Sequence, residues 1–247
     1  MKRFVIISTI LLAGAMAAFG QDTKAILAEL DTLGNFEGKD FSALYTIVSQ
    51  KPGEKDAVTQ VRIFRRDAKD QFTFLIMLPE VNKGQAYLRE GDNIWFYDPT
   101  SRKFSFSSMK ENIQDSEAKN SDLSRSTLSE DYSVTSVKEG TIGKIPVWVI
   151  DLEATTREVS YERLVLHVRR DRTVLLKEEA YSVSGRLMRT TLYPRYAELD
   201  GKLLPTQILI VDELNPGERS QLTLAEQSVA PIPDRVFTKA FLEQVNR

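Results

Sequence analysis

The sequence predicts a mainly β protein, a single domain of antiparallel strands closed into a sandwich or barrel. Three observations carry this. From residue 41 onward, short stretches alternate apolar and polar side chains with the period of two that a strand imposes. Tight turn signals separate them, among them Asp171-Arg172, Ser184-Gly185, Asp200-Gly201 and Asn215-Pro216-Gly217. Successive strands are not spaced by helical patterns, which argues against a parallel α/β sheet. No repeat or linker divides the chain, and the reading gives about eleven strands, two terminal helices and one irregular insertion.

The elements follow in order. Lys2 and Arg3 precede an apolar stretch from Phe4 to Ala18 that closes on Ala18-Phe19-Gly20. This is the layout of a secretory signal peptide cleaved after Gly20. The stretch falls short of the roughly 20 apolar residues of a spanning helix. Cleavage leaves residues 21–247 and moves the net charge from −2 to −4, because Lys2 and Arg3 leave with it. Asp22 or Thr23 can cap a first helix whose Ile26, Leu30 and Leu33 share a face, ending at Gly34.

Strands are then predicted from Phe41 to Val48 and, past Pro52-Gly53, from Val58 to Arg66. Phe72 to Leu78 is apolar on both faces, so it needs the core on one side and a helix or cavity on the other. Ala86 to Arg89, Asn93 to Tyr97 and Lys103 to Ser107 are short strands joined by Glu90-Gly91-Asp92 and Asp98-Pro99-Thr100.

Residues 109–131 read poorly as strand. They are rich in Ser, Asn, Asp, Glu and Lys, and Met109, Ile113, Leu123 and Leu128 keep no period. A loop this long is either functional or a surface excursion. Strands resume at Val134, Val147 to Ala154, Tyr161 to Arg170, Val174 to Tyr181, Arg186 to Tyr193, Leu203 to Asp212 and Ser220 to Val229. Pro231 and Pro233 stop the sheet. Asp234 caps a last helix with the stripe Val236, Phe237, Ala240, Phe241 and Val245.

The composition argues against most chemistries. Without cysteine there is no disulfide, thiol nucleophile or thiolate metal site. His167 is the single histidine, so a multi-histidine metal site is excluded. It falls on the more polar face of its strand, between Arg163 and Arg169, and reads as a surface residue. No G-x-S-x-G elbow or phosphate-binding glycine motif occurs. The acids at 115, 117, 122, 130 and 131 lack the alternate spacing of a calcium loop. The mildly acidic balance gives no basic footprint for nucleic acid. The expectation is a binding protein with no cofactor, no metal and no catalytic residue.

What remains is aromatic and aliphatic. Phe72, Phe74, Ile76, Trp95, Tyr97, Phe104, Phe106 and Trp148 exceed what a thin sheet must bury. Each alone reads as a core residue; together they are what a β-enclosed pocket for an acyl chain requires.

The run Gly91-Asp92-Asn93-Ile94-Trp95-Phe96-Tyr97-Asp98-Pro99 resembles the "DG-x-x-x-W-x-YDP" hairpin of the LolA-like outer-membrane lipoprotein-sorting proteins. The stretch from Arg62 to Pro79 fits its place upstream of that hairpin. Leu123 to Tyr132, Gly185-Arg186-Leu187, Asp200 to Thr206 and Pro233 to Thr238 are similar to the same family. The resemblance implies a half-open antiparallel barrel with helices as a lid over an apolar cavity. It implies a periplasmic carrier for lipoproteins or free lipids, with an inner-membrane ABC transporter as donor and an outer-membrane acceptor. The eight residues above would line the cavity, and Phe237 and Phe241 would pack a helix against the sheet. Arg62 and Arg65 are candidates, by position, for the arginine that latches the family's lid. The alternative is a sensor or scaffold that binds a protein through the same barrel. A lipid hydrolase would need a Ser or Asp beside His167 inside the cavity.

Overall fold

The structure is a computed structural model that describes residues 24–245. The expected signal peptide at 1–20 and the capping residues Asp22 and Thr23 lie outside them. A first helix, α1, runs over residues 24–34. Six strands follow: β1 (Phe41–Gln50), β2 (Ala57–Arg66), β3 (Gln71–Leu78), β4 (Ala86–Glu90), β5 (Asn93–Asp98) and β6 (Lys103–Ser107). The insertion carries two single-turn helices, α2 (Asn120–Leu123) and α3 (Leu128–Asp131). Seven more strands complete the sheet: β7 (Tyr132–Ile142), β8 (Ile145–Ala154), β9 (Arg163–Arg169), β10 (Leu175–Tyr181), β11 (Leu187–Leu199), β12 (Lys202–Asp212) and β13 (Arg219–Ser228). A helical turn at Asp234–Phe237 and a short helix, α4 (Lys239–Val245), end the chain.

All thirteen strands form one antiparallel sheet in the order β6-β5-β4-β3-β2-β1-β13-β12-β11-β10-β9-β8-β7. The count exceeds the expected eleven, and the segment around Val134 is a full strand, Tyr132–Ile142, paired with β8. Two meanders meet where β1 pairs with β13, with Tyr45 opposite Leu224. Asp200 and Gly201, at φ 54° and 76°, make the β11–β12 turn. Both residues are left-handed, as a two-residue hairpin demands.

The edge strands β6 and β7 do not pair, so the barrel is open along one side. The chain must cross from one edge to the other through residues 108–131, and this explains their irregularity. The insertion packs along the inner face of the sheet. Ile113, Ala118 and Leu123 are fully buried in one cluster with Phe41, Ile47, Val61, Ile63, Phe74, Ile76, Ile210 and Leu222. It is therefore part of the core and not a surface excursion. Helix α1 covers the other half of the inner face, with Leu27 and Leu30 against Ile150, Leu152, Leu164 and Leu166. Leu27 takes the buried position expected for Ile26, which is only partly covered.

Strand β3 is two-sided, and each side has its partner. Phe72, Phe74 and Ile76 face inward. Leu75 faces outward with Ala86, Leu88, Tyr97 and Leu242 of α4, while Thr73 Oγ1 donates to the Val236 carbonyl at 2.8 Å. In α4 the fully buried residue is Leu242, whereas Ala240 and Val245 are exposed. The terminal helix covers the outer face, away from the barrel interior.

Candidate functional site

The inner face is not filled throughout. A cavity of about 740 Å³ remains between the sheet, α1 and the insertion. Its sheet wall is built from Tyr45, Leu164, Leu175, Glu178, Arg189, Thr191, Tyr193, Tyr196, Leu204 and Ile208. Leu30 and Leu33 of α1 and Met109, Asp122 and Leu128 of the insertion close it. The size falls within the range of small-molecule binding sites. The lining mixes aliphatic groups with tyrosines and a small charged cluster.

At the centre, Arg189 reaches from β11 across to α2. Its Nη1 and Nη2 donate to the two carboxylate oxygens of Asp122 at 2.9 and 2.7 Å, and Nε donates to Thr191 Oγ1 at 3.1 Å. The Tyr161 ring lies 5.9 Å from the guanidinium. The Lys119 backbone N–H holds Asp122 from behind at 2.7 Å. Glu178 of β10 faces the same void, and burial pushes its carboxyl up to about 7, against the opposing pull of Arg189. Burial also raises the phenols of Tyr45, to about 12, and of Tyr193. Among the described residues no hydrogen bond reaches the Glu178 carboxyl or these two hydroxyls.

The closing elements are tied to each other and to the barrel by polar contacts. Asp31 of α1 accepts the Leu128 and Ser129 N–H groups at 2.9 and 2.8 Å, and the Ser126 and Ser129 hydroxyls at 2.5 and 2.6 Å. Asn35 pairs with the backbone of Ser126 in both directions. Lys202 donates to the Thr32 and Asn35 carbonyls, at the end of α1. Cations suit orphan carbonyls there. Of the two arginines proposed for a latch, Arg65 points inward. It pairs with Asp67 and donates to the Gly34 carbonyl of α1 at 2.9 Å. Arg62 points outward and pairs with Glu226.

None of the eight aromatic and aliphatic residues read from the sequence as cavity lining is on the cavity wall. Phe72, Phe74 and Ile76 are at most 3 % exposed, packed inside the main core cluster, with Phe72 and Phe74 stacked at 4.2 Å. Trp95, Tyr97, Phe104 and Phe106 alternate onto the outer face. There Tyr97 packs with Leu242, and Lys239 Nζ sits 3.2 Å from the Trp95 ring centroid. Phe106 stacks on Trp95 and is 70 % exposed. Trp148 is on the inner face beside the α1 cluster, under the Arg170 guanidinium at 4.4 Å. Phe237 and Phe241 do pack together, against Phe64 and Ile232 on the outer face.

His167 also faces outward, with Nε2 3.1 Å from Glu179 and Nδ1 buried without a partner. No carboxylate or hydroxyl of the cavity reaches it. Elsewhere Glu117, Asp212 and Glu218 bring their carboxylates within 4.8 Å of one another, enough to hold a cation in principle. Burial and its two acidic neighbours raise the Glu117 carboxyl. Among the described residues no helix is long and apolar enough to cross a membrane. What the arrangement can do is bind: it offers a partly open void, aliphatic walls and a buried arginine, Arg189.

The open antiparallel barrel has the LolA-like fold. A family model described as "Uncharacterized protein" matches residues 68–244, and the chain belongs to that family. A LolA superfamily protein from Nitrosomonas europaea is 26 % identical, with a TM-score of 0.78 over 88 % of this chain and 98 % of that one. A DUF1329 family protein from Desulfovibrio piger shares the fold at 18 % identity and a TM-score of 0.78, over 90 % and 98 % of the two chains. A Vibrio parahaemolyticus domain, described as that of an outer membrane lipoprotein-sorting protein, does so at 19 % and 0.77, over 91 % and 99 %. A search of curated proteins finds no match.

Proposed function

We propose that the protein is a periplasmic carrier that takes the acyl chains of lipoproteins, or free lipids, into its cavity and moves them towards the outer membrane. The observation that carries this reading is the void of about 740 Å³ under two closing elements, α1 and the insertion. Both closing elements are anchored by buried apolar side chains, and around the cavity they add side-chain hydrogen bonds and ion pairs that can be exchanged without breaking the sheet. Enclosing an acyl chain recovers about 0.8 kcal/mol per CH₂, so a capped void holds a lipid in water and an opened one releases it. An inner-membrane ABC transporter would supply the cargo and an outer-membrane acceptor would receive it.

Native mass spectrometry of residues 21–247, purified gently from a bacterial periplasm, tests the reading. Adducts with lipid masses are expected. They should disappear when Leu175→Trp fills the cavity while the circular dichroism spectrum is unchanged. A clean spectrum that stays clean after incubation with phospholipid and acylated peptide sinks the carrier.

A further inference from the structure

The cavity is not the plain apolar sleeve that an acyl chain alone would need. Its floor carries Arg189, 6 % exposed, whose two terminal nitrogens engage a carboxylate in the parallel fork geometry that arginine offers to carboxylate and phosphate alike. The carboxylate comes from Asp122, on the strap that closes the void, and not from the sheet. The groups facing Arg189 include Asp122 from the insertion, Thr191 beside it on β11, Glu178 from β10 and Tyr161 from the β8–β9 loop, all on the cavity wall, with the Lys119 ammonium over the Tyr161 ring. Glu178, Tyr45 and Tyr193 add a carboxyl and two hydroxyls that find no hydrogen-bond partner among the described residues. All three residues line the cavity. A purely hydrocarbon occupant would leave them unsatisfied, whereas a polar head group would not.

We propose that Arg189 is the head-group site of the cavity: it binds the oxyanion of an amphiphile, and Asp122 holds that position in the closed, unloaded protein. Cargo enters as an anion-for-anion exchange. The incoming oxyanion takes the fork of Arg189 and Asp122 is released from it, while Leu123 beside it stays anchored in the core. Bidentate exchange keeps the buried guanidinium paired at both ends of the process, avoiding the cost of a bare charge in the interior. The acyl chain then lies along Leu164, Leu175, Leu204 and Ile208. This rests on the cavity being a ligand site and goes beyond it by naming the head-group chemistry, a carboxylate or a phosphate ester.

The test is calorimetric titration of residues 21–247 with three single-chain probes below their micellar concentrations: oleate, 1-oleoyl-lysophosphatidylglycerol and neutral monoolein. Wild-type protein should prefer the anionic probes. D122N removes the internal competitor and keeps the shape, so it should tighten both anionic probes by roughly tenfold, the scale of a charge-assisted hydrogen bond, and leave monoolein unchanged. R189Q should erase the anionic preference while monoolein still binds. Oleate against the lysolipid separates carboxylate from phosphate. If R189Q does not fold, D122N with the three probes decides alone. Equal changes for all three probes in D122N, or none, overturn the head-group site and leave the carrier standing. Failure of every probe to bind wild-type protein overturns both.

Discussion

Arg189 on β11 and Asp122 on α2 form a bidentate pair across the cavity, a direct side-chain link between the barrel floor and the strap above it. Arg189 is nearly fully buried and Asp122 only partly so. A pair of this kind contributes little net stability over an apolar replacement, but removing one partner leaves the other charge uncompensated. Its consequence is local. In D122N, amides of the strap that bond within it, such as Ile113 to the Ala118 carbonyl and Asn120 to the Glu111 carbonyl, should open more often. Hydrogen exchange at these amides should quicken by roughly thirtyfold, equivalent to about 2 kcal/mol for lost bonds to a charged group. Amides of the β1–β13 pairing should keep their wild-type rates, and uniform acceleration would show that the pair holds the whole barrel.

Glu178 gives the fold a pH dependence of definite sign. Burial raises its carboxyl from 4.5 to about 7, so the folded protein binds this proton more tightly than the unfolded chain. Its stability is full below the unfolded value and is lost as pH rises through about 7. A shift of this size corresponds to about 3 kcal/mol above neutral pH. Glu178→Gln removes it. Thermal melts should show the variant gaining on wild type between pH 5 and pH 8, with the two curves converging near pH 4. Parallel curves across that range would mean that the carboxyl is solvated.

Phe74 and Phe106 were grouped by the sequence, and the structure separates them. Phe74 is fully buried on the inner face of β3. Phe74→Ala should cost about 3–5 kcal/mol in urea unfolding. Phe106 leans on Trp95 at the open edge and is 70 % exposed. Phe106→Ser should cost less than about 1 kcal/mol. A large loss at Phe106 would indicate that the edge strand is covered in solution.

The contrast marks where the sequence was legible. Strand alternation was plain in β1, where Phe41, Ala43, Tyr45 and Ile47 are all buried and their neighbours are not. The two-sided burial of β3 was also plain, and so was the Asp200-Gly201 turn. Which face of β4 to β6 looks inward was not. Tyr87 and Phe96 face in while Trp95 and Tyr97 face out, and aromatic residues on both faces carry no sign. The cavity itself was hidden for a related reason. Arg189, Thr191 and Glu178 occupy inward positions of β10 and β11 next to the equally polar Thr190 and Glu179, so polarity does not separate inside from outside. The strap was illegible because its buried residues, Ile113, Ala118 and Leu123, follow the surface they cover and not a helical or strand period.

Asp31 is the residue on which α1 and the strap act together. Its two carboxylate oxygens accept four hydrogen bonds from Ser126, Leu128 and Ser129, two of them from backbone N–H groups at the start of α3. It is 8 % exposed, so water does not replace those bonds while α1 stays docked. Asp31→Ala should lower stability by about 2–3 kcal/mol, from lost charge-assisted bonds and unsatisfied donors. The distribution of the loss matters more than its size. If α1 and the strap open as one unit, limited proteolysis of the variant should cut both residues 24–36 and residues 108–131, and a bound acyl probe should protect both. Cleavage confined to the strap would show that α1 remains docked without Asp31, through Leu27, Leu30 and the Arg65 and Lys202 bonds to its end. The closing element would then be the strap by itself, with α1 a fixed wall of the cavity.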